Sequence, residues 1–306
     1  MTSEKDRQPF LSYANKDRID LIVRFGLLGA ALFTVAAIII IAYSLISESI
    51  SFFMEVPLSE FLFGTKWTAF FDDKQFGTLP LLSGTLLTTA IALGLAIPIG
   101  IGSAIFLSEY ASTSLRKTVK PILEVLAGIP TVVYGYFALY FITPNFKYFI
   151  PDLYTYNAFS AGIAMGIMIV PTIASLTEDA FYLVPRSLKA GGYALGARKS
   201  TVILRIVIPY SLSAIFATII LAIGRAIGET MIVAIAAGLK PTLTLNPFES
   251  IMTMTSAIAQ AATGDAVQGT IEYTSLFAIA VYLFVIVIIL NIISHYIKKR
   301  WEIKHE

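Results

Sequence analysis

An arginine and a glutamate stand four residues apart inside an otherwise uncharged apolar stretch of this 306-residue chain. Arg225 and Glu229 are the only charged residues between positions 206 and 239. A charge at bilayer depth costs at least about 2.5–3.5 kcal/mol on insertion scales, so a charged residue there is a functional candidate by default. In a continuous helix the two side chains share one face, but arginine before glutamate is the weaker order for pairing. Helix stability alone is therefore a poor reason for the pair.

The pair has the chemistry to bind an oxyanion. A planar guanidinium matches a tetrahedral oxyanion in bidentate fashion, whereas an ionised carboxylate only accepts hydrogen bonds. A site with both groups favours an oxyanion that still carries a proton, such as hydrogenphosphate, over sulfate. Thr230 follows with a hydroxyl donor, although packing explains it equally well. The alternative is a structural ion pair that joins this segment to a neighbouring helix.

The elements that must position these residues are membrane spans. Charged residues make up 14% of the chain and hydrophobic ones 57%, against roughly 25% charged in an average soluble domain. A span needs about 20 mostly apolar residues. Six stretches meet that length, which predicts an all-α polytopic membrane protein: residues 25–47, 79–108, 125–146, 153–177, 206–239 and 273–297.

The distribution of positive charge predicts the orientation of the spans. Seventeen of the 22 Lys and Arg residues fall in the two termini and in the second and fourth connections. Because positive residues concentrate on the cytoplasmic side, these four segments are expected there. Six spans also require both termini on one side. We therefore expect a cytoplasmic N-terminal segment, irregular or lying on the surface, at 1–18 and a cytoplasmic tail at 298–306.

The outer connections carry two further expectations. Residues 48–78 are dense in aromatic side chains, which favours an interfacial belt over a ligand site. In the last outer connection, Asn246 and Pro247 read as the N-cap and first residue of a short amphipathic helix. Residues 19–78 are thus expected to hold the first span and its external connection, and 79–297 the remaining core.

Several chemistries are excluded or disfavoured by the residues present. The chain has no cysteine, so disulfides and thiolate metal sites are excluded. Gly191 and Gly196 have the glycine spacing of a phosphate-binding loop, but two residues separate Gly196 from Lys199, which breaks the motif. No H-E-x-x-H occurs, which argues against an intramembrane metalloenzyme. A scaffold or sensory subunit stays an alternative to a transporter, although the buried charged pair argues against it.

The fourth connection, about residues 180–209, resembles the coupling segment of the membrane subunits of ATP-binding-cassette importers. That signature is E-A-A, three residues, Gly, nine residues and I-x-L-P. Aligning on Gly196 places Ile206 and Pro209 at the signature positions, while Ala190, Gly191 and Gly192 stand where E-A-A would. The resemblance implies a six-helix type I (MetI-like) importer domain whose coupling helix docks on an ATPase. Adjacent glycines disfavour helix, so the helix is expected to start late.

A second resemblance concerns the substrate. Residues 224–230 (GRAIGET) are similar to the phosphate-specific permeases of the Pst system, and 77–86, 107–111 and 126–135 support the same branch. The long first outer connection resembles the PstC-type subunit. The resemblance implies phosphate import by alternating access in the bacterial cell membrane, with Arg225, Glu229 and Thr230 in the path; another oxyanion such as phosphonate is the alternative.

The same resemblance implies partners. A second, PstA-like permease would complete the path, two PstB-like subunits would bind and hydrolyse Mg-ATP, and a PstS-like external protein would deliver phosphate. Membrane lipid surrounds such a subunit, and nucleic acid has no role. This chain is expected to bind no cofactor of its own.

Overall fold

Apolar helices form nearly all the regular structure in the computed structural model, which describes residues 10–301 and the side chains of 20–264, 266–294 and 296. An isolated bridge between Trp67 and Phe76 is the only β-pairing in that part of the chain. The helices are α1 (Phe10–Glu55), α2 (Leu58–Phe63), α3 (Leu79–Ile105), α4 (Thr113–Ala127), α5 (Thr131–Phe137), α6 (Thr143–Lys147), α7 (Ala158–Tyr182), α8 (Arg186–Ala194), α9 (Lys199–Val202), α10 (Ile208–Ile227), α11 (Met231–Ala236), α12 (Met254–Gln260) and α13 (Ile271–Trp301).

Short π-helical turns interrupt the helical ladder at four places. They are Phe106–Tyr110 after α3, Ala138–Ile142 between α5 and α6, Ile203–Val207 before α10, and Ala261–Asp265 after α12. Such turns insert an extra residue into the ladder and frequently mark functional positions. Two of these turns, Phe106–Tyr110 and Ile203–Val207, contact α8 in the fourth connection.

Five helical segments of the described chain are long and apolar enough to cross a membrane, and a bent pair supplies a sixth. The bent pair is α4 with α5 and α6, which turn by 87° at a short break. The break falls at residues 128–130, where Pro130 cannot donate the backbone hydrogen bond that would continue α4. The sequence prediction of six spans is confirmed when this pair is counted as one span.

Close packing of α3 against α7 forms the centre of the core. Small residues allow the approach, as expected for membrane helices. A Cβ atom at Gly100 would lie 2.6 Å from the Ile173 side chain, and one at Gly166 would lie 2.9 Å from the Ala92 carbonyl oxygen. Neither site has room for a methyl group, so the glycines set the distance between the two helices.

The prediction of an interfacial belt in the first outer connection is wrong for four of its aromatic residues. Phe52, Phe61, Trp67 and Phe76 are buried, and their rings meet edge to face with centroids 5.3–5.8 Å apart. Edge-to-face contacts of this kind stabilise aromatic clusters beyond the area they bury. The connection therefore has its own core, which packs onto the ends of α3 and α13.

The predicted helix at Asn246 is also wrong. The outer helix is α12, which begins at Met254 behind a capping box of Thr253 and Ser256. Residues 247–249 form a turn instead, because the Asn246 side chain accepts from the Phe248 N–H. The Pro247 carbonyl oxygen accepts from a backbone N–H in the first turn of α7, and the Phe248 carbonyl oxygen accepts from one shortly before α7. Both carbonyl groups are therefore unavailable for the hydrogen bonds of a helix.

The boundaries of three other segments differ from the predictions. Residues 10–18, expected to be irregular or on the surface, belong to α1, and residues 1–9 lie outside the described part. Residues 298–301 continue α13, and 302–306 also lie outside it. The predicted third span, 125–146, is divided by the helix break: its first three residues belong to α4, and helix resumes at Thr131.

Candidate functional site

The fifth span breaks immediately after Arg225. Helix α10 ends at Ile227, Gly228 closes its last turn by donating to the Gly224 carbonyl oxygen at 3.1 Å, and α11 begins at Met231. Arg225 and Glu229 therefore lie on different sides of a helix break. The expectation that they share one helix face is wrong, since that expectation assumed an unbroken helix.

Glu229 is a capping residue in this structure. Its Oε1 atom accepts from the backbone N–H groups of Met231 and Ile232 at 3.1 and 3.2 Å. Its carbonyl oxygen accepts from Thr255 Oγ1 at 2.7 Å, which ties the break to α12. The side chain is 8% exposed. Glu229 therefore caps the N-terminus of α11 with its side chain.

Arg225 has a neutral partner. Its Nη1 atom donates to Thr172 Oγ1 at 2.7 Å, and no acidic side chain pairs with it among the described residues. Thr172 lies on α7, directly after Pro171. A hydroxyl satisfies one guanidinium donor without neutralising the charge. The guanidinium thus retains a net positive charge and four further donors, as an anion-binding group requires.

Sequence reasoning missed Thr172. It is an ordinary hydroxyl residue in a long apolar helix, with no charge or motif to single it out. Tyr134 on α5 lies within electrostatic range of Arg225. Its hydroxyl donates to the Leu126 carbonyl oxygen at 3.0 Å, so it helps to fasten the bend between α4 and α5.

An open groove of about 430 Å³ begins one helical turn from the Arg225–Thr172 hydrogen bond. Leu221 precedes Arg225 by four residues, and Leu176 follows Thr172 by four, so each lies on the same face one turn away. A Cβ atom at Gly224 would meet no atom within 4 Å. Arg225 therefore lies at the end of a surface that this chain leaves uncovered. The groove is lined by Leu176, Ser213, Ala214, Ala217, Thr218 and Leu221.

Thr230 lies at the break itself. Its Oγ1 atom approaches the Gly228 carbonyl oxygen at 3.4 Å, which is long for a hydroxyl hydrogen bond. Its side chain is half-buried. Thr230 and Arg225 are therefore brought to the same break, while Glu229 is turned toward α11.

A cavity of about 740 Å³ lies elsewhere. It is at the far end of α11, with Tyr136, Tyr140 and Tyr156 on its wall and Lys240 among its lining residues. Arg225 does not line it. The cavity and the groove thus lie at opposite ends of the broken fifth span, with the charged residues between them.

The predicted coupling residues form one compact unit around α8. The helix runs from Arg186 to Ala194, so Ala190, Gly191 and Gly192 are helical and the expected late start is wrong. Gly192 is tolerated because it packs against the next segment: a Cβ there would lie 2.7 Å from Ile206 Cδ1. A larger residue would not fit without a shift of Ile206. The close contact that glycine permits outweighs its weak helix propensity.

Gly196 ends α8 in a Schellman motif. The Gly196 N–H donates to the Tyr193 carbonyl oxygen at 2.9 Å, and the Ala197 N–H donates to that of Gly192 at 3.2 Å. Gly196 has φ +79°, which is strained for any residue with a Cβ. Pro209 then occupies the first turn of α10, where its missing N–H costs nothing.

Ion pairs gather at the same end of the helices. Glu178, almost fully buried at the end of α7, pairs with Arg116 and with Lys120, and Lys120 also pairs with Asp179. Burial lowers the pKa of Lys120, but the hydrogen bonds that it donates to the two carboxylates outweigh this effect, and the pKa is raised. These acids and bases hold α4 against α7. None of them was singled out from the sequence.

The comparisons with known proteins agree with this architecture. Residues 96–303 match the family model of the binding-protein-dependent transport system inner membrane component. The chain belongs to that family. It is 35% identical over 246 residues to the phosphate transport system permease protein PstC of Mesorhizobium japonicum, covering 74% of this chain and 75% of that protein. The PstC of Haemophilus influenzae is 32% identical and covers 86% and 89%.

Three further proteins are similar to this chain. The probable ABC transporter permease protein YqgH of Bacillus subtilis is 29% identical and covers 95% of both chains. A bacterial ABC transporter involved in alginate import aligns with a TM-score of 0.65 at 16% identity, covering 94% of this chain and 99% of that one. The MetNI methionine transporter aligns with a TM-score of 0.56 at 14% identity, covering 74% and 95%. At such identities the structures show the fold alone, a type I importer permease.

Proposed function

We propose that this chain is the PstC-like permease subunit of an ATP-driven phosphate importer and forms half of the transmembrane path for inorganic phosphate. The observation that carries the proposal is Arg225: a guanidinium at a helix break, beside an open groove, with a neutral hydroxyl for its partner. The names of the similar permeases support phosphate as the substrate. Broken membrane helices are a recurrent way to build substrate sites in transporters.

Each predicted path residue has a distinct role in this proposal. Arg225 binds the anion transiently, because conduction requires binding weak enough to release. Glu229 fixes the break by capping α11, and its second carboxylate oxygen, which has no hydrogen-bond partner among the described residues, accepts from the proton of hydrogenphosphate. Thr230 donates to the anion from the break. Sulfate, which carries no proton, loses the contact with Glu229.

The uncovered face of α10 is the contact with a second permease. Gly224 and Gly228 lie there, and small residues permit close approach of a partner helix. We assign a PstA-like subunit to this face, so that the path lies between the two permeases. Both termini and the second and fourth connections lie in the cytoplasm of a bacterial cell, as the positive charges indicate.

We assign α8 as the contact with the ATPase. Leu188 on this helix and Leu195 after it are exposed, Leu195 at 90%. Two PstB-like subunits would bind this surface of the paired permeases and hydrolyse Mg-ATP, while a PstS-like protein delivers phosphate outside. The broken glycine-loop motif supports the assignment of ATP hydrolysis to those partners.

The test is uptake of radiolabelled phosphate at limiting concentration in cells that lack the native permease. Cells would carry the wild type, Arg225→Gln, or the control Arg24→Gln, which removes an exposed arginine from α1. Hydrogen bonds to charged groups contribute about 1.5–3 kcal/mol each, so we expect Arg225→Gln to lose about 10- to 100-fold of the uptake. The control should retain it, and excess sulfate should not compete.

Equal amounts of each variant in the membrane, and equal recovery of partner subunits with it, are the controls for assembly. Normal uptake by Arg225→Gln would show that this arginine is structural. Failure of the wild type to restore uptake, with all partners present, would exclude phosphate as the substrate. If a small excess of phosphonate abolishes the uptake of radiolabelled phosphate more effectively than an equal excess of unlabelled phosphate, phosphonate is the preferred substrate.

A further inference from the structure

One charged pair lies outside the proposed path and connects two elements far apart in the sequence. Lys189, in the middle of α8, places its Nζ atom 2.5 Å from Glu109 Oε1. Glu109 belongs to the π-helical turn that follows α3. The Lys189 side chain is 20% exposed and that of Glu109 is 7% exposed. The pair is therefore largely shielded from solvent, unlike a surface salt bridge.

Lys189 has a second contact that reaches another span. Its Nζ atom lies 3.5 Å from the carbonyl oxygen of Phe181, in the last turn of α7. That carbonyl oxygen also accepts from the Val184 N–H at 3.4 Å, and the negative end of a helix favours a nearby cation. One ammonium group on α8 thus contacts the end of α3 through Glu109 and the end of α7 through Phe181, and these two helices form the packed core.

The same face of α8 also contacts the fifth span. Gly192 packs directly on Ile206 in the π-helical turn before α10. Lys189 and Gly192 are three residues apart, so they lie on one face of the helix. Helix α8 accordingly has one contact with the core helices, one with the helix that carries Arg225, and an exposed surface with Leu188 and Leu195.

We infer that the Lys189–Glu109 ion pair is the joint through which displacement of α8 moves α3 and α7 against the fifth span. Lys189 and Glu109 are positioning residues, and neither touches the transported anion. A shielded pair suits this role because separating it exposes two charges to a poorly hydrated site, so the elements move together rather than apart. The π-helical turn at Glu109 supplies a flexible end to α3.

The inference rests on the proposed docking of an ATPase on α8. The test therefore uses the complete transporter, with its partner permease, ATPase subunits and binding protein reconstituted in vesicles. The measured quantity is phosphate imported per ATP hydrolysed, a ratio that a purely structural defect, which lowers both rates, would leave unchanged. The variants are Lys189→Met, Glu109→Gln, the conservative Lys189→Arg, and the exchange of both residues, with Lys117→Met on α4 as an exposed lysine control.

We expect Lys189→Met and Glu109→Gln each to lower that ratio about tenfold while ATP hydrolysis stays within about twofold, as coupled pairs measured by double-mutant cycles allow. Lys189→Arg and the exchanged pair should recover most of the ratio, and Lys117→Met should not change it. A wild-type ratio in both single variants would overturn the inference. So would an exchanged pair no better than either single change. Glu109→Gln keeps the native side-chain shape and covers the case in which Lys189→Met does not assemble.

A separate measurement distinguishes failure of this inference from failure of the proposed function. The chain has no cysteine, so Leu195→Cys introduces a single thiol beside the exposed surface of α8. Cross-linking of that thiol to an ATPase subunit supports the docking regardless of the ion pair. Absence of cross-linking together with absence of wild-type uptake would remove the proposed function itself.

Discussion

Two groups of charged residues lie away from the bulk surface of this chain, and they are satisfied in different ways. Where α4, α7 and α8 come together, Glu178 and Glu109 each form an ion pair with at least one cation, and each of these cations has an acidic partner. At the break of the fifth span, Thr172 is the only hydrogen-bond partner of the Arg225 side chain among the described residues. The first arrangement fastens helices to one another, whereas the second leaves a charge available for a mobile anion.

The surroundings of the two regions differ in the same sense. Gly100 and Gly166, where α3 packs against α7, have no space for a methyl group, but around Gly224 there is open space. A charge that serves packing is compensated within the chain, because an isolated buried charge is expensive. A charge that serves transport is left uncompensated beside a surface that a partner or ligand must cover. The predictions below test this division, from the largest expected effect to the smallest.

Replacing Glu178 should have the largest effect on stability. Glu178→Gln leaves Arg116 and Lys120 without their shared acid. The two cations keep about a quarter of their surface exposed, so we expect a loss of about 2–3 kcal/mol rather than the 3–5 kcal/mol of a fully buried pair. Unfolding of the purified chain in mixed micelles measures this, with Arg225→Gln as the comparison. If Arg225→Gln destabilises the chain equally, the division between the two regions fails.

A methyl group between α3 and α7 should have the next largest effect. In Gly100→Ala the new Cβ would lie 2.6–2.7 Å from Ile173 Cγ2 and Cβ, atoms near the backbone that cannot swing away. Overpacking of this kind costs about 1–2 kcal/mol after the helix propensity gained by alanine. The same unfolding measurement in micelles checks it. An unchanged or higher stability would mean that the two helices separate without penalty.

The matched change on the open face should behave differently in the isolated chain and in the complex. Gly224→Ala meets no atom within 4 Å, so alanine should stabilise the purified subunit slightly, by less than about 1 kcal/mol. If a partner permease covers this face, the same methyl group should reduce recovery of the partner in co-purification. Full recovery together with normal uptake would place the partner contact elsewhere.

The smallest loss of stability is expected for Thr172→Val. Valine has nearly the shape of threonine but cannot accept from Arg225, so we expect a loss of about 0.5–1.5 kcal/mol at most, the net value of one hydrogen bond. Freeing the guanidinium should instead alter the apparent affinity for phosphate in uptake assays. An unaltered affinity would indicate that Thr172 does not compete with the anion for Arg225.

Gly196 illustrates how far local sequence rules reach in this molecule. Its place in the importer signature predicted a special role, and its positive φ in the Schellman motif gives the physical reason. The six apolar stretches likewise predicted the spans, because hydrocarbon leaves the backbone no partner except the helix itself. By contrast, Gly191 and Gly192 predicted a late helix start. That prediction failed because the contact of Gly192 with Ile206 outweighs weak propensity.

The sequence by itself therefore determined the membrane class, the number of spans, the family and the identity of Arg225 as the charged residue to explain. Composition and period carry that information, since both are properties of consecutive residues. Only the tertiary structure decided the partners: Thr172 for Arg225, Glu109 for Lys189, Glu178 for Arg116 and Lys120. Each of these contacts joins residues more than 50 positions apart. Their geometry depends on the helix breaks at residues 128–130 and 228–230. A run of apolar residues does not show which of its backbone carbonyl groups accepts a hydrogen bond from a distant part of the chain.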